Sequence, residues 1–252
     1  MRVIDGTRTV RLAALGDLHC TKKSQGAYQE LFSHAAEQAD VLLLCGDLTD
    51  FGLPEEAQVL ASELRRLGNM PVVGVLGNHD YESGREEDVR RILTEEAGVQ
   101  VLDGQSCTFH GVGFAGVKGF LGGFGERMLQ AWGERAVKRI VREALEETEK
   151  LESALARLHT QHRIVLMHYA PIRATVEGEP PEVIPYLGCS RLAEPIHRHP
   201  VTAVVHGHAH HGSPEGATEN NVPVYNVSIP VLRRSYPDRP AFRIMTVQVS
   251  HE

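Results

Sequence analysis

Cysteine is scarce in this chain of 252 residues: Cys20, Cys45, Cys107 and Cys189 lie far apart, and no C-x-x-C occurs. That spacing excludes a disulfide framework and a thiolate zinc site, and leaves reduced thiols packed as small core residues. Basic residues are also in the minority, 26 Lys and Arg against 33 Asp and Glu, for a net charge of −7. A broad nucleic-acid-binding surface is therefore not expected, and no stripe of alternating aromatic and basic residues offers a track for a single strand. No run reaches the ~18 to 20 apolar residues that a membrane span needs. The opening MRVIDGTRTVRLAAL carries Arg2, Asp5, Arg8 and Arg11 where a signal peptide would be apolar, so the chain reads as cytoplasmic. Internal repeats, low-complexity tracts and linkers are missing too, so residues 1–252 read as one domain.

What is present is an alternation of apolar runs and helical patterns, the signature of an α/β fold. Strands are expected at Val10–Leu15, Val41–Cys45, Val72–Leu76 and Val99–Leu102. Between them, Tyr28, Leu31, Phe32, Ala35, Ala36 and Ala39 recur at helical spacing. A second helix is expected from Pro54, with Glu55 and Glu56 near its positive end and Gly68 as its stop. Ser83 with Glu86 reads as a capping box for a third helix ending near Gly98. Short strands follow from Cys107 to Val117, then a loop with Gly119, Gly122, Gly123 and Gly125. Residues Glu126–His159 read as one long crossover helix striped by Leu129, Trp132, Val141, Leu151 and Leu155, with Glu146 and Lys150 as an i,i+4 pair. Strands return at Arg163–Met167, Val201–Val205, Val222–Val227 and Phe242–Val249.

The polar clusters stand where these strands end: Gly16-Asp17-Leu18-His19, Gly46-Asp47, Gly77-Asn78-His79-Asp80, His168, and Gly207-His208-Ala209-His210. Ligands bind at strand ends that open into loops, so clusters spread over nearly 200 residues can converge. Two carboxylates, one amide oxygen and four imidazoles make an oxygen and nitrogen donor set suited to Mn, Fe or Zn more than to Ca or Mg. Asp17 and His19, like His208 and His210, are two residues apart, so in extended backbone both side chains leave one face and can chelate one ion. Seven donors exceed what one tetrahedral ion takes, which favours two ions with one carboxylate between them. His206 and His211 flank the last cluster, and spacing alone does not say which pair binds. Cys20 and Cys45 adjoin ligand positions, where packing is the default reading. His34, His110, His159, His162, His197, His199 and His251 have no motif context and read as surface residues.

The ordered set D-x-H, GD, GNHD, H and GHxH resembles that of the calcineurin-like metallophosphoesterases. The resemblance implies two packed mixed β-sheets flanked by helices and a dinuclear centre hydrolysing phosphoesters. Carried over by motif, Asp17, His19 and His210 hold one metal, Asn78, His168 and His208 the other, and Asp47 bridges them. The pattern selects His208 and His210 over their neighbours. It also makes His79 the residue that stabilises the transition state or protonates the leaving oxygen, with Asp80 orienting it. The family's specificity lies in variable loops, here Lys118–Arg127 and Pro171–Cys189, with Lys118 and Arg173 as candidate phosphate contacts. The expected reaction is attack by a metal-activated hydroxide, on a small nucleotide-like phosphodiester. The alternatives are a phosphomonoesterase, including a protein phosphatase, and a non-catalytic scaffold of the same fold.

Overall fold

The computed structural model describes residues 3–4 and 7–250; Arg2, Asp5 and His251 lie outside the described residues. One sheet holds β1 (Val3–Ile4), β2 (Thr7–Leu15), β3 (Val41–Cys45), β4 (Val72–Val75) and β5 (Gln100–Val101), with β12 (Arg243–Ser250) antiparallel to β2. The second has the order β10 (Glu215–Ala217), β11 (Pro223–Asn226), β9 (Ala203–His206), β8 (His162–Leu166), β7 (Val112–Gly116) and β6 (Gln105–Phe109). Strands β2 to β5 run parallel, as do β7, β8, β9 and β11. β3 reads VLLLC and is buried throughout, as a strand covered on both faces must be.

The two-residue period of the second sheet sets its packing. Phe114, Ile164, Leu166 and Val205 join the core shared with the first sheet. Their neighbours Ala115, Val165 and Val204 turn the other way, onto Leu151 and Leu155. Those leucines belong to α4 (Arg135–Ala156), while α1 (Gln29–Gln38), α2 (Pro54–Leu64) and α3 (Glu86–Ala97) follow β2, β3 and β4. Phe32, Leu60 and Val89 from these three helices enter the larger core. Two short helices, α5 (Ala193–Arg198) and α6 (Ile229–Ser235), complete the set among the described residues. No helix there is long and apolar enough to cross a membrane.

Several local expectations are corrected. The helix expected over 126–159 spans Arg135–Ala156, because Gly133 takes a left-handed φ of 66° and Leu129 donates its N–H to the Gly122 carbonyl. Leu129 and Trp132 therefore belong to a loop, and Trp132 is exposed. Ser83 does not cap α3; its hydroxyl donates to the Gly52 carbonyl at 2.6 Å, and Arg85 takes the cap position. Glu146 pairs with Arg142 one turn earlier, whereas Lys150 reaches Glu147 and Asp103. The Pro54 start is as read, and Glu56 accepts the Phe51 and Leu53 amides.

Candidate metal centre

Five loops leave the C-terminal ends of β2, β3, β4, β8 and β9 and meet at one edge of the two sheets. Donor atoms of Asp17, His19 and His210 lie within 4.8 Å of one another, and so do those of Asp47, His168 and His208. Asn78 joins the second group, with Oδ1 2.9 Å from His168 Nε2. Asp47 stands between the groups: Oδ1 is 3.3 Å from His168 Nε2, and Oδ2 is 3.8 Å from His19 Nε2.

The backbone here is not the extended chain assumed from the two-residue spacing. Asp17, His19, Asp47 and His208 have φ values of 61°, 48°, 47° and 69°. Side chains converge through left-handed turns rather than strand alternation, at a cost of about 1–3 kcal/mol each. Hydrogen bonds hold the turns: Asp17 N–H donates to the Gly46 carbonyl and His19 N–H to the Asp47 carbonyl, both at 2.9 Å. The motif glycines answer to crowding. A Cβ on Gly77 would overlap Asp47 Oδ1, and one on Gly207 would overlap Asp17 Oδ2. Each glycine thus lets a neighbouring ligand approach the backbone.

The histidines are arranged to present lone pairs. His19 Nδ1 lies 3.2 Å from Asp50 Oδ1, which fixes the proton there. Its Nε2 is buried and has no hydrogen-bond partner. His168 Nδ1 donates to the Cys45 carbonyl at 3.0 Å, leaving the Nε2 lone pair to face Asp47 and Asn78. His208 Nε2 lies 3.3 Å from the Tyr186 carbonyl, which leaves Nδ1 as its free acceptor. Burial drives His168 well below the ordinary imidazole range, His208 down to about 3, and His19 downwards. His210 is raised, chiefly by its hydrogen bond to Asp17 Oδ1 at 2.9 Å. Burial, helped by the neighbouring Asp17 and Asp80, pushes Asp47 well above the usual carboxylate range. His168 and His208 resist protonation beside the buried Asp47, and divalent cations would supply positive charge to this donor set.

The other site candidates divide. His79 donates its backbone N–H to Asp47 Oδ1 at 2.9 Å, and its ring stands edge-on to His19 with centroids 4.6 Å apart. Its Nδ1 is 2.7 Å from the Asp50 carbonyl, so Asp50 and not Asp80 orients the ring. Asp80 is fully buried and accepts from the backbone amides of Leu48, Thr49 and Gly77 and from the Thr49 hydroxyl, tying the two loops together. Lys118 is buried as well. Its Nζ donates to the Gly119 carbonyl and sits 4.6 Å from the Phe120 ring centre and 5.4 Å from that of Tyr169, so it is enclosed rather than offered to a phosphate. Arg173 is exposed on the neighbouring loop.

His206 is spent internally: Nδ1 donates to the Gly207 carbonyl and Nε2 accepts from Thr175 Oγ1, both at 2.8 Å. His211 is exposed, and its amide donates to Glu179. Cys20 and Cys45 are buried with thiols pushed up, Cys20 to about 12, and Cys45 contributes its carbonyl instead. Among the histidines without motif context, His110, His159 and His197 are exposed, while His34, His162 and His199 are partly buried. Asp50 was missed by the sequence reading; its signal is a second carboxylate three residues after Asp47 in one loop. The roles of Tyr186 and Cys45 come from backbone carbonyls, for which a sequence carries no signal.

The model of the calcineurin-like phosphoesterase family matches residues 10–212, which includes every candidate ligand. None of the curated proteins matches the sequence. Solved structures share the fold. Phosphopantetheinyl hydrolase from Mycobacterium tuberculosis is 18% identical with a TM-score of 0.65, covering 93% of this chain and 95% of its own. TT1561 of Thermus thermophilus is 14% identical with a TM-score of 0.56, covering 95% and 99%. A putative 5′-nucleotidase from Staphylococcus aureus is 18% identical with a TM-score of 0.52, covering 97% of this chain and 51% of its own. With the family match over four-fifths of its length and two mixed sheets flanked by helices, this chain belongs to the calcineurin-like phosphoesterases, metal-dependent hydrolases of phosphoester bonds.

Proposed function

We propose that the protein is a dinuclear phosphodiesterase acting on a small, nucleotide-like substrate. The observation that carries the dinuclear part is the Asp47 carboxylate, with one oxygen toward His19 and the other toward His168. In this reading Asp17, His19 and His210 hold one ion, Asn78, His168 and His208 the other, and Asp47 serves both. Mn or Fe suits the oxygen and imidazole set, with Zn as the third choice. When bound, the ions would supply Lewis-acid charge and an activated water at neutral pH.

The chain's own residues do the rest. Three histidine orientations are preset by Asp50, Cys45 and Tyr186, so little reorganisation accompanies binding. His79 keeps its Nδ1 proton on the Asp50 carbonyl, with Glu82 Oε2 3.7 Å away. Its Nε2 is then the nitrogen that delivers a proton to the leaving oxygen. One structural neighbour is named a phosphopantetheinyl hydrolase and another a putative 5′-nucleotidase, which supports a search among small phosphoesters. On the same footing we read residues 1–252 as one catalytic domain, and the dispersed, unpaired cysteines as supporting a cytoplasmic setting.

The test is Mn-dependent hydrolysis of bis(p-nitrophenyl) phosphate beside p-nitrophenyl phosphate, with Asp47→Asn as control. Faster turnover of the diester is expected. Preference for the monoester would make the protein a phosphomonoesterase, and no turnover of either by the metal-loaded protein would favour the scaffold.

A further inference from the structure

Beside the metal centre lies a groove of about 490 Å³, a volume in the range of small-molecule sites. One wall is the loop that the helical spacing misread, ending at Trp132; the other runs through Tyr186. Both rings are largely exposed, at 65% and 60%. An exposed Trp and Tyr on one groove present flat faces that water covers poorly. Arg127 and Arg173 line the same groove, and neither has an ion-pair or hydrogen-bond partner among the described residues. By contrast, Arg85 at the cap of α3 and Arg90 and Arg91 within it are all paired with carboxylates. In a chain of net charge −7, two unpaired arginines on one groove make a place for an anion.

The groove is built rather than incidental. Arg191 is buried beneath it and donates to the Leu129 carbonyl at 2.9 Å and to Gln130 Oε1 at 3.1 Å, fastening the first wall. Backbone bonds from Gly122 to Pro185 and from Gly123 to Gly188 fasten that wall to the second. The second wall is also continuous with the metal centre, since the Tyr186 carbonyl is the partner of His208 Nε2. The backbone of the groove's second wall therefore borders the metal centre.

We infer that this groove holds a flat aromatic group carrying a phosphate, stacked on Trp132 and Tyr186 with its anionic part on Arg127 and Arg173. This rests on the phosphoesterase reading above and narrows its substrate class to nucleotides. Bases stack on aromatic side chains through their flat faces, and arginine is the side chain suited to a phosphate.

Trp132 is the one tryptophan of the chain, so emission excited to the red of the tyrosine absorption reports this groove. The experiment titrates Mn-loaded full-length protein with adenosine 5′-monophosphate, ribose 5-phosphate or inorganic phosphate while following that emission. Saturable quenching by the nucleotide is expected, and little change with the two ligands that lack a base. Arg127→Ala and Arg173→Ala should each weaken nucleotide binding about tenfold, the loss of roughly one charge-assisted contact. Equal quenching by ribose 5-phosphate, no saturable quenching by the nucleotide, or unchanged affinity in the double arginine variant would overturn the inference. Hydrolysis of bis(p-nitrophenyl) phosphate by the same preparation separates the two claims. Hydrolysis without quenching removes the groove and keeps the enzyme; quenching without hydrolysis does the reverse.

Discussion

The two donor groups of the metal centre are built differently. His168, in the second group, is fully buried, with each ring nitrogen facing a fixed oxygen. In the first group, the side chains of His19 and His210 keep 24% and 36% of their accessible surface. The second group is therefore anchored in the core between the sheets by His168, with Asn78 and His208 partly open, while the first is anchored by Asp17 and carries two histidines at the rim. In the proposed dinuclear reading, an ion on the second group would be the deeper one, held by His168, and an ion on the first would be the one more free to exchange.

The largest effect should come from the residue common to both. Asp47→Asn is expected to lower phosphoesterase turnover by at least about 10³-fold, since several kcal/mol of metal-dependent stabilisation is lost. Steady-state kinetics at saturating Mn measures this. Next, His168→Ala and His210→Ala should each cost one ion, but only His168→Ala should also lower the thermal midpoint of the metal-free protein, because it opens a cavity in the core. Equal midpoints for the two variants would erase the distinction between core and rim.

His79→Ala lies outside both groups and should keep both ions while losing about 10²-fold in turnover, the lower range for general acid catalysis. The loss should be smaller with p-nitrophenolate as leaving group than with an alkoxide, which needs the proton more. The smallest effect concerns the rim alone. Asp50→Asn should weaken the more readily exchanged ion by about 10- to 100-fold, as removal of a ligand's supporting carboxylate does. Competition with a chromophoric chelator would resolve that ion from the deep one.

The deep group was also the more legible in sequence. β3, β8 and β9 announce themselves as apolar runs; a glycine and a ligand follow β3 and β9, and His168 follows β8 without a glycine. The rim residues lie together, but not in the extended geometry expected, because the left-handed turns at Asp17 and His19 depend on hydrogen bonds to distant loops. Long-range contacts explain the remaining misreadings. The Leu129 carbonyl is taken by Arg191, 62 residues away, so a segment with helical spacing becomes the wall of a groove. Asp50 was overlooked beside Asp47 because its carbonyl and its carboxylate act on histidines from other parts of the sequence. Asp80 looked like the partner of His79 because it is adjacent in the chain, yet its carboxylate points into the backbone of two loops.

The most direct test of the central claim, two ions sharing the Asp47 carboxylate, is the metal content of the Mn-loaded protein by plasma mass spectrometry, wild type against Asp47→Asn. Two ions per chain are expected in the wild type and a loss at both positions in the variant, the rim ion leaving first. One ion per chain in a fully active wild type, or two tightly held ions in Asp47→Asn, would contradict it.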